Sequence, residues 1–148
     1  MKIYMDACCL SRPFDDLSHD RARLEAEAVT NILERCRVGI WSLAASDIID
    51  FELSAIKDED KLLRIKRLYS LAEDMLPLTD QAKTRSAAFR KQGLALFDSL
   101  HLAVAETFKR DIFLTTDDKL LKKAKTIALG LKAANPVSWF LEVENDER

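Results

Sequence analysis

Residues 94 to 105 are apolar at almost every position and have the length and composition of a helix, yet the run carries Asp98 and His101. A helix that is apolar on nearly every side is a buried helix, so the fold must enclose this one. A carboxylate buried without a partner costs several kcal/mol or takes up a proton. Asp98 therefore needs a compensating group: a cation, a metal ion or a cluster of hydrogen bonds. Asp6, Glu52 and Asp117 have similar settings, and a convergent acidic site that binds metal is the simplest account of all four.

The rest of the chain alternates strand and helix, which points to an α/β fold with a mainly parallel sheet. Residues 2–7 form an apolar run rich in strand formers, followed by a loop over residues 11–16. Leu24, Ala28, Val29, Ile32, Leu33 and Cys36 recur at helical spacing. Residues 38–43 read as a second strand, and Ser46 suits the N-cap of the helix carrying Glu52. A charged helix spans about 58–72, and 75–78 is extended. Thr79 or Asp80 caps a helix that Gly93 ends. Residues 112–116 read as a strand, 119–124 as a helix and 127–133 as a last strand weakened by Gly130. Asn135-Pro136 breaks that strand, and the acidic tail 142–148 is expected to fray.

In a parallel sheet, ligands bind in the crevice beyond the carboxyl ends of the strands. Asp6 and Asp117 each end an expected strand and would face one crevice. A helix N-cap is the alternative role for Asp117 or Asp118. Glu52 has Ile48, Ile49, Ala55 and Ile56 as its helical neighbours, whereas Asp50 has Ser46, Asp47, Leu53 and Ser54. Glu52 thus shares the core-facing side and Asp50 faces solvent. His101, one turn from Asp98, is an alternative structural partner for it.

A length of 148 residues, 48% hydrophobic and 32% charged, suits one soluble globular domain. No apolar run reaches the ~20 residues needed to span a bilayer. The charges at Lys2 and Asp6 come too early for a signal-peptide core, so a cytoplasmic protein without a membrane partner is expected. Three cysteines, two of them adjacent, argue against a disulfide framework, and the absence of CxxC or CxxH spacing argues against structural zinc. All three read as small buried hydrophobes. The net charge of −2 gives no global sign of a nucleic-acid binder. Sequestering acids around a metal would nonetheless leave a more basic surface than the total implies.

A carboxylate set without Cys ligands favours Mg²⁺ or Mn²⁺. Such an ion activates bound water and neutralises charge on a leaving oxygen, alone or as a pair about 4 Å apart. The chemistry expected is phosphodiester hydrolysis. The segments IYMDACCL, SLAASDIIDFELSA, LALFDSLHLAVAE and FLTTDDKLLKKA, in that order, resemble the PIN domain family, including the VapC-like ribonuclease toxins of prokaryotic toxin–antitoxin systems. Each motif alone is weak, while the ordered set is fairly specific and covers most of the chain. The resemblance implies a three-layer α/β/α sandwich and Mg²⁺- or Mn²⁺-dependent ribonuclease activity, often in a homodimer. For toxin members it implies an antitoxin partner. The acids carry over to Asp6, Glu52, Asp98 and Asp117, the last because it follows Thr115-Thr116. Family members often have a hydroxyl residue soon after the first acid. Here Ala7, Cys8 and Cys9 follow, leaving Ser99, Thr115 or Thr116 to supply that support.

Lys119, Lys122 and Lys123 share one helical face beside Asp117 and could meet RNA phosphates, the alternative being a solvated face. Arg12 and Phe14 could clamp a phosphate and stack a base, or Phe14 could pack as a staple. Arg85, Arg90 and Lys91 are further candidates. Among rivals, haloacid-dehalogenase-like phosphatases need a second Asp where this chain has Cys8. Receiver domains need paired acids after the first strand and an acid on a middle strand. A PIN-like module that binds RNA or protein without cutting is the remaining alternative.

Overall fold

The structure is a computed structural model that describes residues 1–146. Five strands form one parallel sheet in the order β3-β2-β1-β4-β5. They are β1 (Lys2–Met5), β2 (Ser42–Ser46), β3 (Asp74–Leu76), β4 (Ile112–Leu114) and β5 (Lys132–Ala134). The helices are α1 (Ala7–Ser11), α2 (Asp20–Arg37), α3 (Asp47–Ser54), α4 (Glu59–Tyr69), α5 (Asp80–Lys91), α6 (Leu96–Thr107), α7 (Asp118–Ala124) and α8 (Pro136–Asp146). From β1 the chain moves outward to β2 and β3, then crosses back to β4 and on to β5. Right-handed crossovers running in opposite directions put their helices on opposite faces. α2 packs with α8 and α5 with α6, giving the three-layer α/β/α sandwich that the motifs implied.

The core gathers where strand side chains meet both helix layers. Ile3, Tyr4, Met5, Leu43, Ala44, Ile112, Phe113 and Leu114 are buried against Val29, Ile32, Leu102 and Val104. The sheet reads as continuous apolar runs because both of its faces are covered. α6 is buried from Ser99 to Ala105 apart from half-buried Leu100, but its first turn opens to solvent at Leu96 and Phe97. The enclosure expected of the whole run therefore starts one turn late, and Asp98 sits at the border.

Several boundaries differ from the sequence reading, each for a local reason. β2 starts at Ser42 because residues 38–41 return their amides to carbonyls of Glu34, Arg35 and Cys36. Gly39, at φ +88°, makes that turn in a region other residues avoid. β5 is shorter than expected. Gly130 N–H donates to Glu106 and Ala128 C=O accepts from Arg85, so those backbone groups never join the ladder. Pro136 does more than break a strand. It opens α8, with Asn135 Oδ1 accepting from Val137 N at 2.8 Å, and Pro suits the first helical position. Residues 142–146 continue α8. Glu142 pairs with Lys132 and Glu144 with Arg35, and Trp139 is buried against Trp41. Residues 147 and 148 lie outside the described residues. Cys9 and Cys36 are buried as expected, but Cys8 is exposed.

Candidate active site

The order of the strands makes a switch point between β1 and β4, where outgoing connections leave in opposite directions and a crevice opens. Asp6 follows β1 and caps α1, its Oδ1 accepting from Cys9 N at 3.0 Å. Asp117 follows β4 and caps α7, its Oδ1 accepting from Lys119 N at 2.9 Å and Leu120 N at 3.3 Å. Capping by Asp117 is thus real, and it coincides with a place at the crevice. Asp118 points elsewhere, held by both Arg21 nitrogens at 2.6 and 2.7 Å. Glu52 lies half-buried on α3, while Asp50 is exposed. Asp98, in the first turn of α6, is half-buried and has no ion-pair partner among the described residues.

All four acids lie within electrostatic reach of one side chain. The Cys8 thiol, on a residue exposed as a whole but with protein packed around its sulfur, is pushed up to about 12 first by that desolvation and then by Asp6, Glu52, Asp117 and Asp98. Burial pushes Asp6 up to about 6, with Glu52 adding and His101 and Thr115 opposing. Asp98 is raised by burial, then by Asp117 and, more weakly, Glu52. Like charges in a desolvated crevice hold one another toward the protonated form.

The supporting residues divide. Thr115 is buried and its Oγ1 accepts from Asp117 N at 3.1 Å, bracing the β4–α7 turn; Thr116 is buried beside it. His101 does not pair with Asp98; its Nε2 hydrogen-bonds Glu52 Oε1 and its Nδ1 meets the Tyr4 hydroxyl at 2.6 Å. Ser99 turns inward to Ser86 Oγ at 2.9 Å and Leu96 O at 2.6 Å. Tyr4 was not singled out from the sequence. As a strand residue among Ile3 and Met5 it reads as core, and only its contact across the sheet reveals its hydroxyl.

A cavity of about 350 Å³ is lined by Ala95, Asp98, Asp117, Lys119, Leu120, Lys122 and Lys123. A larger one of about 560 Å³ near Arg21 and Leu24 lies away from the convergent acids. Lys123 Nζ also donates to Gly93 O. Arg12 is engaged by Asp15 and Glu25, and Phe14 packs half-buried on the core. Arg85 is held by Glu106; Arg90 and Lys91 are exposed at the end of α5.

The donor set is oxygen-only carboxylate beside a protonated thiol, which fits a hard cation. Among the described residues no three His, Cys, Asp or Glu side chains form a group placed to hold a metal ion. Burial is the first cause that raises Asp6 and Asp98, and neighbouring acids add to it. The residues fit a divalent cation by chemistry.

No protein-family model matches the chain, and no curated protein matches its sequence. Solved structures do. VapBC2 from Rickettsia felis, solved bound to a DNA fragment from their promoter, aligns with a TM-score of 0.63 at 16% identity, covering 91% of this chain and 98% of that one. PAE2754 from Pyrobaculum aerophilum aligns with a TM-score of 0.62 at 18% identity, covering 98% and 96%. No helix among the described residues is long and apolar enough to cross a membrane. At these identities the likeness speaks for the fold, and the fold of this chain is PIN-like, as its four ordered motifs imply.

Proposed function

We propose that this protein is a Mg²⁺- or Mn²⁺-dependent endoribonuclease, with Asp6, Glu52, Asp98 and Asp117 holding the cation. One observation carries the reading: Asp6 and Asp117 follow the adjacent strands β1 and β4 at the switch point of a parallel sheet, and Asp98 lines a cavity with Asp117. Carboxylates that raise one another toward the protonated form in a crevice are a candidate functional site. When bound, the cation would lower the pKa of a water and neutralise charge on the leaving oxygen.

The chain's own residues have distinct tasks. Thr115 and the two capping acids fix the crevice floor. Lys119, Lys122 and Lys123 hold phosphates of the RNA along the rim, sequence-independently. Asp98, which among the described residues has neither the capping hydrogen bonds of Asp6 and Asp117 nor the His101 partner of Glu52, has the strongest need of a cation. The PIN-like fold, shared with VapBC2 in its promoter-bound complex, supports a toxin held by an antitoxin, acting in the cytoplasm as a homodimer.

The test is cleavage of a panel of structured and single-stranded RNAs with Mg²⁺, Mn²⁺ or EDTA, comparing wild type with Asp98→Asn. Divalent-dependent cleavage that disappears in a folded Asp98→Asn protein is the expected result. Absence of both cleavage and metal binding in the wild type overturns it, and leaves a PIN-like module that binds RNA or protein without cutting.

A further inference from the structure

Behind Glu52 runs a buried chain of hydrogen bonds. Ser46 Oγ lies 2.7 Å from the Tyr4 hydroxyl, which lies 2.6 Å from His101 Nδ1, and His101 Nε2 meets Glu52 Oε1. Ser46, Tyr4 and His101 are at most 1% exposed. The direction of the chain follows from counting protons. A carboxylate only accepts, so His101 Nε2 donates to Glu52. Ser46 Oγ already accepts the N-cap bond from Ile49 N at 3.1 Å, and its proton has only the Tyr4 oxygen to go to among the described residues. The Tyr4 proton must then point at Nδ1, which accepts. Every donor is satisfied in this one arrangement, with His101 Nε2 donating and Nδ1 accepting.

One atom thus sets two things. Ser46 Oγ fixes the start of α3, which carries the Glu52 backbone, and it begins the chain that fixes the Glu52 side chain. Without that chain a half-exposed glutamate would sample several rotamers. The ring of Tyr4 is itself stacked on Phe113 of β4 at 5.4 Å between centroids, so the relay is braced against the middle of the sheet. We infer that Tyr4 and His101 are positioning residues that hold the Glu52 carboxylate in place for a divalent cation. The inference rests on the metal-dependent reading above, and deepens it. Partners that orient ligands in this way typically account for ten- to a hundredfold in metal affinity.

The experiment combines Mn²⁺ titration calorimetry with ¹⁵N spectra of the histidine rings, on the full chain. In metal-free wild type, His101 should show an unprotonated Nδ1 and a protonated Nε2. Tyr4→Phe should weaken Mn²⁺ binding about tenfold while its thermal unfolding stays cooperative. His101→Gln, whose amide can donate to Glu52 and accept from Tyr4, should bind more tightly than His101→Leu. A Tyr4→Phe protein that binds Mn²⁺ as wild type does, or a His101 ring protonated on Nδ1, overturns the inference and leaves the metal site standing. Wild type that binds no Mn²⁺ overturns the functional reading, while the ring spectrum still decides the relay. If Tyr4→Phe does not fold, the comparison of Gln with Leu at position 101 carries the test.

Discussion

Asp6 illustrates how far a single residue can be driven from its ordinary chemistry. Its backbone belongs to the end of a strand whose neighbours are fully buried, and burial raises the carboxyl from 3.8 to about 6. The ionised form is therefore the one that the fold disfavours. Its contribution is fully kept below about pH 4 and is lost as pH rises through about 6. The difference is on the order of 3 kcal/mol at neutral pH. In EDTA, Asp6→Asn should be more stable than wild type, the gap opening between about pH 4 and 6 and then levelling. Thermal or denaturant unfolding across that range checks it, and a gap that ignores pH would refute it. The amide can still cap Cys9 N, so the comparison isolates the charge. Asp6 and Asp98 were legible in the sequence because acids in apolar runs need an explanation. Tyr4 was not, since a buried hydroxyl gives no sign in a strand pattern.

At the scale of elements, the helix starts carry the design. Asp6, Ser46, Asp58, Thr79 and Asp117 all cap helices through their side chains, and two of them also stand at the crevice. α2 holds a second buried acid that the sequence reading passed over. Glu25 is 1% exposed and pairs with Arg12 at 3.1 Å, Arg21 at 3.3 Å and Asn135 Nδ2 at 2.6 Å. The signal was available: Glu25 stands three and four residues before Ala28 and Val29 on the core stripe, while Leu24 is exposed. Glu25 ties the turn after α1 to the entrance of α8, so Glu25→Ala leaves Arg12 with a charge and no buried partner. The expected cost is about 3–5 kcal/mol, whereas Arg21→Ala, at an exposed pair, should cost about 1 kcal/mol or less. Urea unfolding of the two variants measures the contrast, and equal costs would show Glu25 to be a bystander.

Across the whole molecule the net charge of −2 conceals an uneven distribution. Acids are drawn into the crevice and into buried pairs, and Lys119 and Lys122 are exposed at its rim. If this rim follows RNA, replacing both lysines by alanine in an Asp98→Asn background should weaken binding to all sequences alike. Each phosphate neutralised on a single strand adds about 0.7 to the slope of log affinity against log salt, so removing both lysines should lower that slope by about 1.4. Filter binding at several salt concentrations reads it. A weakening confined to particular sequences, or an unchanged slope, would remove the lysines from the interface.

The alternation of strands and helices and several helix starts were written in the sequence, because periodicity and capping act over a few residues. The ends of β2 and β5 depended on where backbone amides found partners: the last turn of α2 in one case, and Glu106 and Arg85 in the other. α8 found its place against the fold where Trp139 meets Trp41. His101 read as a neighbour of Asp98 along its own helix, but the sheet placed Tyr4 and Glu52 at its two nitrogens instead. Local sequence determined which groups needed partners; only the packing of distant segments decided which partners they met, since a hydrogen bond or a buried contact is set by distance in space.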